Sequence, residues 1–183
     1  MANKKILIVI DVQNDFITDA LRNEEAIKTL PNIVNLVKNE KFDETYVTMD
    51  THDKDYLNTL EGRKLPVPHC IKNTNGWKMP VEMVDALKNQ NVVQVFEKPT
   101  FGSVWMNDFI RSLANENHNE YLNAEFTIVG FVSSICVMAN AILLRANFPN
   151  NKIIVYKNCT CGITNEDNAS AMTVLKMQQI EIL

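Results

Sequence analysis

Short apolar runs rich in valine and isoleucine alternate along the chain with longer segments whose apolar positions recur at helical spacing. That alternation is the pattern of βαβ units and a parallel sheet. Residues 6–10 are apolar without a polar break, so a strand covered on both faces is expected there. Residues 23–39 read as a helix with Ala26, Leu30, Ile33, Leu36 and Val37 inward, and Pro31 must sit near its first turn or bend it. Further strands are predicted at 45–49, 92–96, 126–130 and 153–156, with 180–183 as a candidate edge strand. Helices are predicted at 81–88, 104–115, 135–147 and 165–179. The stretch 50–79 contains Pro and Gly and far exceeds the roughly 2–6 residues usual for such a connection, which marks it as functional. The expected architecture is one α/β domain over 1–183. It is a doubly wound, mostly parallel sheet of five or six strands with helices on both faces.

Composition narrows the partners. A formal net charge of -4 leaves no basic field to attract phosphate backbones, so a nucleic-acid partner is not expected. The apolar run at 6–10 is too short for a signal-peptide core, and no stretch is apolar enough for a membrane partner. Four cysteines in 183 residues lack the density of a disulfide scaffold, so a reduced, cytoplasmic protein is expected. The sequence leaves the oligomeric state open, a homo-oligomer included.

In doubly wound sheets, ligands bind beyond the carboxyl ends of the strands. Asp11, Asp50, Lys98 and Cys136 each fall at or just past such an end. Taken singly, Asp11 in DVQNDF would be a solvated carboxylate, Lys98 in FEKPTFGS a surface lysine, and Cys136 in VGFVSSICV a small core hydrophobe. The topology puts all of them on one rim. A cysteine at a helix N-terminus beside a lysine is expected to have a lowered pKa. At the ordinary value of about 8.5 only ~3% is thiolate at pH 7, against roughly half at a value near 7. A neighbouring Asp can take the thiol proton and later return it to a leaving amine.

On these residues the chain resembles the isochorismatase-like cysteine hydrolases, and within them the nicotinamidase-type amidases. The resemblance spans the chain from the Asp11 strand through VGFVSSICV to the last helix. It implies an Asp11–Lys98–Cys136 triad, a non-proline cis peptide at Phe131–Val132, and an oxyanion hole from the N–H groups of Val132 and Cys136. It also implies hydrolysis of a small amide, nicotinamide to nicotinate and ammonia before all others, and a place in NAD salvage.

The long loop adds Asp50, His52 and His69, a D-x-H pair with a distant histidine, and two of the three histidines in the chain. By resemblance this set binds a divalent metal that holds the pyridine nitrogen and water, with Glu61 as a variant fourth ligand. Zinc is the first expectation, with iron or manganese as alternatives. Two departures bear on substrate identity. The metal motif is Asp50-Thr51-His52, where many nicotinamidases carry an aromatic middle residue. The Thr-Asp pair common before the cysteine is here Ser133–Ser134, which would still supply helix N-caps. Phe16, Trp77, Phe101 and Trp105 are candidate pocket walls. Competing readings are another C–N hydrolase of the family, such as a carbamoyl or ureido amidase, or a relative with a different small substrate. Isochorismate cleavage is disfavoured because those relatives lack the cysteine. A non-catalytic dinucleotide module would need a GxGxxG after the first strand, which is missing.

Overall fold

The computed structural model describes residues 3–183. Strands β1 (Lys5–Ile10), β2 (Glu44–Asp50), β3 (Val92–Lys98), β4 (Glu125–Phe131), β5 (Lys152–Cys161) and β6 (Glu181–Ile182) form one sheet in the order β3-β2-β1-β4-β5-β6. Every neighbouring pair is parallel. The helices are α1 (Glu24–Asn39), α2 (Leu60–Lys64), α3 (Val81–Leu87), α4 (Val104–Glu116), α5 (His118–Tyr121), α6 (Met138–Asn147) and α7 (Asn165–Met177). Among the described residues no helix is long and apolar enough to cross a membrane.

β1 explains why its run does not alternate. Ile6, Ile8 and Ile10 pack with Met106 and Ile110 of α4, Leu144 of α6 and Leu175 of α7 on one face. Leu7 and Val9 pack with Ala26, Leu30, Ile33 and Val37 of α1 and Met83 and Ala86 of α3 on the other. Helices on both faces thus make every position of the central strand a core position. Side-chain caps start the helices where expected: Asn23 accepts from Glu25 and Ala26 N–H, Ser103 from Met106 N–H, and Thr164 from Asp167 N–H.

The structure departs from the sequence reading in several places, the short helices α2 and α5 among them. β5 runs on to Cys161 because, past an irregularity opposite Ile128–Gly130, it pairs again at Thr160 and Cys161. The exposed Lys157 and Asn158 interrupt the apolar run and hide that continuation. Pro31 lies in the second turn of α1 on the exposed face, where its missing N–H costs no buried bond. Val34 is buried, whereas Leu36 is only half-buried. Ahead of α6 the chain makes a π-helical turn over Ser133–Val137, so the predicted helix begins irregularly.

Strand order reverses between β1 and β4, and the crevice at that switch point is where such folds bind ligands. Both strands end in unusual backbone: Asp11 has φ 49 and Gly130 has φ 122. A Cβ on Gly130 would stand 1.9 Å from the Ile10 carbonyl oxygen, so only glycine lets the two strand ends meet there. Gly130→Ala should cost at least about 3 kcal/mol in chemical denaturation or prevent folding. A loss below about 1 kcal/mol would contradict this close approach.

Candidate active site

Asp11, Asp50 and Lys98 leave the ends of β1, β2 and β3 side by side, in a register that pairs Asp50 with Lys98. Lys98 is 1% exposed, and its Nζ lies 2.7 Å from Asp11 Oδ2, 3.4 Å from Asp50 Oδ1 and 3.7 Å from Cys136 Sγ. Thr48 donates its hydroxyl to Asp11 Oδ1 at 2.7 Å, which turns the other carboxylate oxygen toward the lysine. Cys136 sits in the π-helical turn after β4, following a cis peptide at Phe131–Val132. The Val132 carbonyl accepts the Ile135 and Val137 N–H groups, which holds the turn that carries Cys136.

The thiol differs from the sequence expectation of a lowered pKa. Burial is the largest influence and, with the Asp11 carboxylate, holds the Cys136 thiol well above its ordinary value, although Lys98 pulls the other way. Burial also raises the Asp11 carboxyl against the pull of Lys98. Burial alone would depress the Lys98 ammonium, but Asp11, Cys136 and Asp50 outweigh it and keep it charged. The lysine's charge therefore faces the two carboxyl groups of Asp11 and Asp50, and burial favours the proton on the Cys136 sulfur. Ser133 does not cap the helix; its hydroxyl is buried without a partner.

Asp50 also faces the long loop. Its Oδ2 lies 3.1 Å from His52 Nε2 and 3.5 Å from His69 Nε2, and Glu61 Oε1 is 3.8 and 3.6 Å from the same two nitrogens. Burial disfavours the charged Asp50, yet the His52 and His69 bonds and Lys98 keep its carboxyl far below the usual range. His69 Nδ1 is 2.9 Å from the Val67 carbonyl and donates to it, so Nε2 is the nitrogen turned toward Asp50. The donor separations match the edge of roughly 3.4 Å expected for a tetrahedron of ~2.1 Å bonds, and two imidazoles with one carboxylate are a zinc-type donor set. The residues present therefore fit a divalent ion.

The backbone holding these ligands is itself clamped. His52 bridges to Ile71 in parallel fashion, with His52 N–H donating to the Cys70 carbonyl and Lys72 N–H to the His52 carbonyl. The buried Gln13 side chain accepts from Asp50 N–H at 2.7 Å and donates to the Asp50 and Trp77 carbonyls. Asp15 accepts from Cys70 N–H at 2.7 Å, next to His69. Sequence reasoning missed Thr48, Gln13 and Asp15 as supports. The last two stand in the quoted DVQNDF, but nothing in that string shows what they hold.

A cavity of about 850 Å³ opens over the cluster, lined among others by Phe16, Asp50, Glu61, His69, Phe101, Val132 and Cys136. Two predicted walls stand outside it. The Trp77 indole N–H is tied to Thr51 Oγ1 at 2.9 Å, and Trp105 lies 64% exposed on the outer side of α4.

The family model for the isochorismatase domain matches residues 5–183, and the chain belongs to that family. Among curated proteins it is similar to the nicotinamidase of Schizosaccharomyces pombe at 26% identity, with 97% of this chain and 91% of the yeast protein covered. Among solved structures it resembles the nicotinamidase/pyrazinamidase of Bacillus subtilis, with a TM-score of 0.80, 24% identity and 98% of each chain covered. The pyrazinamidase of Pyrococcus horikoshii in complex with zinc superposes with a TM-score of 0.71 at 21% identity, again over 98% of each chain. These structural likenesses establish the shared fold.

Proposed function

We propose that this chain hydrolyses the amide of nicotinamide to nicotinate and ammonia through a thioester on Cys136. The observation that carries the reading is that Lys98 joins Asp11 and Cys136 to the Asp50, His52 and His69 cluster at one cavity. Support for the substrate comes from the relatives named above, which are nicotinamidases and pyrazinamidases.

Cys136 passes its proton to Asp11 as the sulfur attacks the amide carbon. The Val132 and Cys136 N–H groups receive the developing oxyanion. Asp11 returns the proton to the leaving ammonia, then takes one from the water that attacks the thioester, so that nicotinate leaves and the thiol is restored. Lys98 stays protonated throughout and stabilises the anionic partners as charge moves between sulfur and carboxylate. Phe16 and Phe101 offer apolar walls to the ring. Asp50, His52 and His69, with Glu61 beside them, would hold a divalent ion, zinc first among candidates, supplying Lewis-acid binding of the pyridine nitrogen and of water.

Cys136→Ala should abolish ammonia release, and Asp11→Asn should lower kcat by about 10²–10⁴-fold in protein that still folds. Turnover by the alanine variant at the wild-type rate would overturn the covalent route. Elemental analysis should find about one divalent ion per chain in wild type and far less in His52→Ala or His69→Ala. Metal-free protein that is fully active on nicotinamide would refute the assigned role of the cluster. Metal-free protein inactive on nicotinamide but active on a non-aromatic amide would favour a carbamoyl or ureido substrate.

A further inference from the structure

Asn140 stands one helical turn beyond Cys136 and is fully buried on α6. Its side chain makes three hydrogen bonds, which divide between two segments of the site. Oδ1 accepts the Ser103 N–H at 2.9 Å, and Nδ2 donates to the Phe101 carbonyl at 3.2 Å and to the Cys136 carbonyl at 2.8 Å. A buried amide is costly unless satisfied, and this one is satisfied only while the loop 99–103 lies against the nucleophile turn.

The two segments differ in what else holds them. The Cys136 turn is fastened by the two bonds to the Val132 carbonyl and by the fully buried Val137. The loop leaves β3 directly after Lys98, and Phe101 at its middle is 48% exposed while lining the cavity. Gly102 packs against α6, where a Cβ would stand 2.8 Å from Leu143 Cδ1 and 3.3 Å from Ala139 Cβ. Ser103 goes on to cap α4. The loop's other side-chain bonds, Thr100 Oγ1 to the Gly102 carbonyl and Asn107 Nδ2 to the Ser103 carbonyl, do not reach α6, so loss of the Asn140 bonds frees the loop from α6 while the Val132 carbonyl still holds the Cys136 turn.

We propose that Asn140 is a positioning residue for substrate selection: by fixing Phe101 opposite the nucleophile, it sets the preference for an aromatic ring without acting on the chemistry at Cys136. This deepens the cysteine-hydrolase reading and rests on it. The expected kinetic signature in Asn140→Ala is a KM raised about tenfold with kcat within about threefold.

The test compares alkylation of Cys136 by iodoacetanilide, which carries a phenyl ring, with iodoacetamide, which does not. Relative to wild type, the ratio of the two rate constants should fall about tenfold in Asn140→Ala, with the iodoacetamide rate itself within about threefold. Asn140→Asp, which keeps size and the acceptor for Ser103 but loses both donors, should show the same fall in ratio and carries the test if the alanine variant does not fold. Phe101→Ala, at a half-exposed position, should reproduce the loss, and adding Asn140→Ala to it should change the ratio by less than about twofold. An unchanged ratio in Phe101→Ala or in either folded Asn140 variant, or independent effects in the double variant, would overturn the proposal. So would a loss confined to kcat. Wild type that releases no ammonia from nicotinamide sinks the amidase reading, whereas the alkylation ratio needs no turnover and still decides the role of Asn140.

Discussion

One buried ammonium organises this molecule. Lys98 is 1% exposed, and leaving a charge there unpaired would cost several kcal/mol, so the carboxyl ends of β1 and β2 must deliver its partners to the end of β3. They do so through Asp11 at 2.7 Å and Asp50 at 3.4 Å. Asp50 then turns its other oxygen to His52 and His69. The nucleophile's neighbours and the metal-type cluster are consequently one electrostatic unit, with Asp50 as the shared member. A change in charge on either side is felt on the other through two contacts.

That unit imposes demands on the surrounding chain. The strand ends must approach closely, which needs glycine at 130 and a left-handed Asp11. The long segment after β2 must fold back on itself, and it does so through the His52–Ile71 bridge and the Gln13 and Asp15 side chains. Both supports come from the short turn after β1, so the segment that supplies Asp11 also anchors the histidine-bearing loop.

Much of the fold was legible because two-sided burial writes itself into composition. The uninterrupted run at 6–10 and the helical stripes that flank it follow directly from helices on both faces of the sheet. β5 outruns its apolar pattern because its second half pairs with β4 only after an irregularity and carries exposed polar residues. Strand-end positions also led to Asp11, Asp50, Lys98 and Cys136, since chain topology alone decides which ends share a rim. Burial was not legible. A cysteine beside a lysine suggested a thiolate, yet desolvation and Asp11 outweigh the lysine whose charge is already taken. Nor could aromatic identity say which rings face the cavity: Phe16 and Phe101 do, while Trp77 is held aside by Thr51. Asn140, a lone amide in the apolar stretch of α6, carried a signal that only its three partners explain.

The central claim is that the unit around Lys98 serves a covalent route through Cys136. Hydroxylamine intercepts acyl-thioesters, so wild-type protein given nicotinamide and hydroxylamine should release nicotinohydroxamate at the expense of nicotinate. The acid-quenched enzyme should carry a nicotinoyl group on the peptide containing Cys136. Release of nicotinate with no hydroxamate and no acylated Cys136, at hydroxylamine concentrations that trap a model thioester, would contradict it.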